Sequence, residues 1–177
     1  MNLITRVIKL GWLGLMVLCL TAQLAAAAEK PNGCTVPQDH RFDFWIGDWD
    51  VFDNGGTAKV AHVVVDRLLE GCVLREQYEG SDGHQGQSLS IYDRTRNVWH
   101  QTWVTNRGEL LVIEGQFRNG AMVLSGKELK DEAPTLVRGT WTPVSGGVSE
   151  KAVLSTDGGK TWTTWLDLIF RRAQKRE

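Results

Sequence analysis

Residues Phe42 to Val51 read Phe-Asp-Phe-Trp-Ile-Gly-Asp-Trp-Asp-Val, and this segment narrows the possible folds more than any other. It sets large aromatics on a short turn of helix, then a Gly, then Trp49 at the opening of a strand. A small antiparallel barrel can stop its closed end in this way, with a Trp side chain as the plug. A closed barrel is a container, so the segment points towards ligand binding.

The N-terminus has a different character. Arg6 and Lys9 precede an uncharged apolar stretch from Leu10 to Leu20, and Ala26-Ala27-Ala28 follows before Glu29. This is the pattern of a secretory signal peptide, residues 1–28, and the stretch is short against the ~20 residues of a membrane span. Removing it leaves 149 residues, enough for one domain with a core, and 18 basic against 21 acidic residues, a net charge of −3. No basic patch or run stands out, which argues against nucleic acid as a partner, and no membrane span is expected after cleavage. Export would keep two cysteines, Cys34 and Cys72. An oxidising compartment favours a disulfide between them.

A linker over 29–40 leads to a domain over 41–172 and a basic tail, 173–177. Turn signals recur every ten to fifteen residues or so, at Asn54-Gly55-Gly56, Ser81-Asp82-Gly83, Asn106-Arg107-Gly108, Asn119-Gly120, Ser145-Gly146-Gly147 and Asp157-Gly158-Gly159. β-Branched and aromatic runs lie between them, so the segments read as consecutive hairpins. Ten strands are expected, near 48–54, 57–69, 71–80, 85–93, 97–105, 109–118, 121–130, 135–143, 147–156 and 161–172. The predicted fold is all-β: an antiparallel up-and-down barrel of about ten strands with a short N-terminal helical plug. Closure removes free strand edges. A sandwich is the alternative.

In a closed meander the last strand returns beside the first. Trp45 and Trp49 then close the barrel, and Arg171 or Arg172 could lay its guanidinium over the Trp49 indole. The Gly47-Asp48-Trp49 step with a terminal Arg resembles the calycin superfamily, which includes lipocalins and fatty-acid-binding proteins. The chain more specifically resembles a family of exported bacterial proteins of unknown function. The shared features are Phe42 to Val51, Glu70-Gly71-Cys72, Tyr92-Asp93, Trp99-x-Gln101-x-Trp103-Val104, Met122-x-Leu124, Thr140-Trp141-Thr142-Pro143 and Asp157-Gly158-Gly159-x-Thr161-Trp162. The resemblance implies an exported, lipocalin-like barrel and carries no established activity. One strand departs from it: where members often have an Arg-Gln pair, this chain has Val148 to Leu154.

Ser155-Thr156-Asp157-Gly158-Gly159-Lys160-Thr161-Trp162 fits the Ser-x-Asp-x-Gly-x-Thr-Trp pattern called the Asp-box. Glycosidases of the propeller type carry several such boxes, but one box in a single short domain cannot build a propeller. It reads as a folding device, with the carboxylate accepting backbone N–H groups across a turn.

Every second barrel residue points inward. Trp99, Gln101, Trp103 and Thr105 form the expected inner face of their strand, Ser88, Ser90 and Tyr92 could join from its neighbour, and Leu74, Glu76 and Tyr78 share one face of the strand before that. Glu76 on an inner face would need a cation, and Arg138 is the candidate. The expected lumen set is therefore Glu76, Ser90, Tyr92, Trp99, Gln101, Trp103 and Arg138, which could instead satisfy one another in a packed core. His40, His62, His84 and His100 are scattered without metal-ligand spacing, so no metal or other cofactor is expected. The leading expectation is a periplasmic or secreted barrel that takes a small apolar or amphipathic molecule into its lumen. The alternatives are an isomerase- or cyclase-type enzyme using the same lumen, with His62 or His100 as base, and a solid-core structural or interaction module.

Overall fold

Burial alternates along the strands as a half-buried sheet requires. In β1 (Gly47–Asp53), Trp49 and Val51 are buried while Asp48, Asp50 and Phe52 between and beside them are not. β2 (Lys59–Leu68) buries Ala61, Val63 and Val65. The same alternation runs through β3 (Val73–Gly80), β4 (Gln85–Asp93), β5 (Val98–Thr105) and β6 (Leu110–Arg118). It continues through β7 (Ala121–Lys130), β8 (Ala133–Val144) and β9 (Gly147–Ser155), while β10 (Thr163–Arg172) grades from exposed at its start to buried at Phe170. These features come from a computed structural model that describes residues 33–130 and 133–174. The expected leader, residues 29–32 of the linker and residues 175–177 of the tail lie outside the described residues.

The ten strands form one closed antiparallel barrel in sequence order, with β10 returning to pair β1. Trp49 sits opposite Arg172 and Val51 opposite Phe170, and the N–H of Ala173 donates to the Asp48 carbonyl at 2.9 Å to end the ladder. Each expected strand is present, and the sandwich alternative is set aside. The Asn119-Gly120 turn shows why the hairpins are legible. Both residues take left-handed φ, 51° and 81°, as a two-residue hairpin demands. Among the described residues no helix is long and apolar enough to cross a membrane.

Two single turns of 3-10 helix, Pro37–His40 and Asp43–Trp45, precede β1 and stop one end. Phe42 stacks on Trp45 at 5.0 Å and meets Trp99 and Trp141 edge-on at 5.7 and 5.5 Å. Trp45 and Trp49 also contact Phe170. Such ring pairs are each worth ~0.5–1.5 kcal/mol beyond the area they bury. The Trp49 indole N–H donates to the Trp45 carbonyl at 2.9 Å, locking the plug to the strand that follows it.

Residues 33–40 are pinned rather than free. Cys34 is disulfide-bonded to Cys72, which confirms the expected pair. Asp39 is buried, accepts from the Val36 N–H at 3.0 Å, and pairs with Arg94 at 2.5 Å. Burial pushes the Asp39 carboxyl up, but the Arg94 guanidinium and the Val36 N–H outweigh it and hold it below its ordinary value.

Candidate functional site: the barrel lumen

The closure at the plug end uses one arginine, not either of two. The Arg172 guanidinium lies over the Trp49 ring, 3.9 Å from its centroid, while Arg171 lies over Phe52, 4.7 Å away. Gly47 makes room for this: a Cβ there would meet Arg172 Nη1 at 1.9 Å. Only a hydrogen fits beneath the guanidinium, which gives the Gly-x-Trp spacing its physical reason.

Beyond the plug the inner wall turns polar. Glu76 on β3 is buried, and Ser88 Oγ on β4 donates to it at 2.8 Å. One step round the barrel, Gln101 Nε2 on β5 donates to Ser90 Oγ at 3.0 Å, both residues fully buried. A third polar group comes from β9, where Val148, Glu150 and Ala152 alternate on the inner face. Glu150 pairs in register with Trp141 of β8 and Leu168 of β10. β3 and β9 are four strands apart round the ring of ten, so the two glutamates approach from facing walls.

Both carboxyls are held well above their ordinary value. For Glu76 the cause is burial, only partly offset by the Ser88 hydroxyl. For Glu150 it is burial, then the negative charge of Glu76, partly offset by the Trp141 indole. The Trp141 N–H favours the Glu150 anion, yet no hydrogen bond of normal geometry closes between them, and Trp141 Nε1 is buried without a partner. Glu150 is half-buried, so it keeps some accessible surface although it faces the inside of the sheet. Tyr78 feels both glutamates; burial first, then Asp82 and the pair, raise its phenol, with Arg107 opposing them.

Inward residues further from the plug also keep accessible surface. Tyr78, Trp103, Leu154, Leu166 and Leu168 are half-buried, whereas Phe42, Trp45, Trp49, Trp99, Met122 and Phe170 in the plug are almost wholly covered. Trp103 lies flat over Gly86, where a Cβ would sit 2.3 Å from its Cη2, and meets Tyr78 edge-on at 5.8 Å. His84 stands over the same two rings, with Nε2 3.3 Å from Glu109 but without hydrogen-bond geometry.

The expected lumen set is thus divided. Glu76, Ser90, Gln101 and Trp103 face inward as expected, and Trp99 belongs to the plug cluster. Tyr92 sits at the plug end, its hydroxyl 3.4 Å from Asn97 Oδ1, lining two surface concavities of about 530 and 200 Å³. Arg138 is a correction. It is exposed on the outer face, stacked 4.1 Å over Trp162, and is no partner for Glu76. The inner residues of β8 are Thr135, Val137, Gly139 and Trp141, the opposite parity.

The candidate bases are also outside. His62 lies 3.4 and 3.7 Å from Asp48 and Asp50 on the outer face, and His100 Nδ1 lies 2.8 Å from Glu114. Asp157 gathers the turn before β10, accepting from Thr161 Oγ1 at 2.6 Å, Ser155 Oγ at 2.8 Å and the Lys160 and Thr161 N–H groups at 2.9 Å. The Thr161 hydroxyl and N–H, with Ser155, hold its carboxyl far below the ordinary range. Ser88 and Tyr78 share the inner rows expected of Ser90 and Glu76, and Glu150 and Trp141 complete the lumen without having been expected there. Their signal was parity: Glu150 is the one charged residue in an otherwise apolar alternate row, Val148-x-Glu150-x-Ala152-x-Leu154.

No protein-family model matches the chain, and no curated protein matches its sequence.

Proposed function

We propose that this is an exported, lipocalin-like barrel that binds a small apolar or amphipathic molecule in its lumen, entering from the end opposite the plug. The observation that carries the reading is the gradient of exposure along the inner wall. The aromatic cluster of the plug is almost wholly covered, whereas Tyr78, Trp103, Glu150 and Leu168 further along keep accessible surface, although all of them face the inside of one closed sheet. An apolar wall with a few converging polar groups is the usual make-up of a small-molecule site. The Cys34–Cys72 bridge supports an oxidising address. With His62 and His100 on the outer face, the catalytic alternative loses the bases on which it rested.

The test is titration with an apolar fluorescent probe, read by energy transfer from Trp103 and Trp141. Saturable binding is expected, and a folded Ala152→Phe variant, which fills the inner wall, should abolish it. An unchanged signal in that variant, or no binding by the native protein across a panel of apolar probes, overturns the reading.

A further inference from the structure

Two carboxyls, Glu76 and Glu150, face each other across the lumen, and a third acid, Glu128, lies on the inward row of β7 nearer the mouth. Among the described side chains no Lys or Arg lies on the inner wall level with Glu76 and Glu150, and the inward imidazole, His84, stands over Tyr78 and Trp103 at the mouth; Arg172 and Arg67 are engaged at the plug end, by Trp49 and by Asp43 with the Gly71 carbonyl. A pair of acids facing each other in an apolar enclosure is costly unless a cation or a proton compensates it. A solid core would gain by replacing both with apolar residues. The second observation is the neighbouring Trp141 indole N–H, nine-tenths buried and more, with no hydrogen bond closed, and in register with Glu150 on the inner wall. Aromatic faces complete the surroundings, with Tyr78 and Trp103 on the mouth side of Glu76 and Ser88.

We propose that the molecule taken into the lumen carries a basic nitrogen on an apolar body, its ammonium head held between Glu76 and Glu150 and its body along Tyr78, Trp103 and Leu168. Carboxylates and ring faces together are the chemistry that selects an alkylammonium over a neutral or anionic head. This assignment rests on the lumen-binding reading above and names the class of ligand for the same site. The charged and titratable groups around it are Glu76, Glu150 and Tyr78 within, Ser88 and Trp141 as neutral neighbours, and Glu128, Asp82, Arg107, His84 and Glu109 towards the mouth.

The test compares octylamine, octanol and octanoate, each below its micelle-forming concentration, on the native protein and on Glu76→Gln, Glu150→Gln and the double variant at pH 7.5. Octylamine should bind about tenfold or more tightly than octanol, and octanoate more weakly still. Calorimetry in buffers of different ionisation enthalpy should show proton release on binding octylamine and none on binding octanol. The double variant should bind octylamine and octanol within about twofold of each other; unfolding midpoints verify that it is folded. Octanol or octanoate binding as tightly as octylamine, or an amine preference surviving in the double variant, overturns the ammonium assignment and leaves lumen binding standing. Failure of all three probes to bind overturns both.

Discussion

Replacing Glu76 and Glu150 by Gln should stabilise the barrel, and by more at pH 8 than at pH 5. A carboxyl whose pKa is raised on folding binds more protons in the folded chain than in the unfolded one, so unfolding free energy falls as pH rises. The window opens at the ordinary glutamate value of 4.5 and closes at the raised values, about 7 for Glu76 and about 8 for Glu150. Below it both acids are neutral in both states and cost nothing. Each pH unit between the ordinary and the raised value is worth about 1.4 kcal/mol, so Glu76 alone amounts to roughly 3 kcal/mol across the window. Glu150, half-buried, is discounted to roughly 2 kcal/mol. Other carboxyls do not confuse the result. Asp39, Asp50, Asp82, Asp93, Glu114 and Asp157 are all held below their ordinary values, so they titrate beneath this window and act with opposite sign. Urea midpoints from pH 4.5 to 8.5 measure the effect. The native protein should lose several kcal/mol, Glu150→Gln about half as much, and the double variant almost none. A native protein equally stable at both ends of the range, or a double variant with the native slope, would refute the burial of these acids.

Removing the closure should show equally plainly. Arg172→Ala uncovers the outer face of Trp49 and should cost about 1 kcal/mol, lowering the melting midpoint by roughly 3 °C, with red-shifted tryptophan emission; Gly47→Ala should reproduce it by displacing the same guanidinium. Replacing Cys34 and Cys72 by Ser opens a loop 38 residues apart in sequence. It should cost about 4 kcal/mol in the chain-entropy model, roughly 10 °C in midpoint. Arg138→Ala, by contrast, should lose only the exposed stack on Trp162, ~0.5–1 kcal/mol, and leave probe binding in the lumen unchanged.

The strands were legible because two independent signals agree in this chain: turn residues at regular spacing and a period of two between them. Their ends differ by at most two residues, where pairing rather than propensity decides, as at Ala133, whose partner Lys130 extends β8 backwards. The plug was legible because so many aromatics in so short a segment have nowhere else to go. The lumen was read less well, and each miss has a cause. On β8, the row containing Arg138 looked more suitable for an inner wall than one containing Gly139. Gly139 is inward because the Trp141 indole lies over it, where a Cβ would come within 2.6 Å of the ring. A small residue beside a large one on the same face is one packed unit, and single positions do not reveal it. Glu150 escaped notice because a charged residue in an apolar row reads as an outward one. Its inward position follows only from the register with Trp141 and Leu168.

The two ends of the barrel carry opposite contributions, and their sizes explain each other. Stability is concentrated at the plug, in the aromatic cluster, the Trp49–Arg172 stack, the Asp39–Arg94 pair and the Cys34–Cys72 bridge. The acid pair on the inner wall subtracts free energy at neutral pH, by about as much as the bridge adds, ~4 kcal/mol in the chain-entropy model. A lumen that holds like charges in an apolar space needs such a reserve elsewhere in the fold. The two effects arise from different parts of the molecule with no shared partner, so they should add. A protein lacking the bridge should therefore stay folded near pH 5, where the acids are neutral, and lose its cooperative transition near pH 8. A bridge-free protein that also carries the double glutamine substitution should regain it there. If it stays unfolded at pH 8, the lumen acids are not the burden that the bridge offsets.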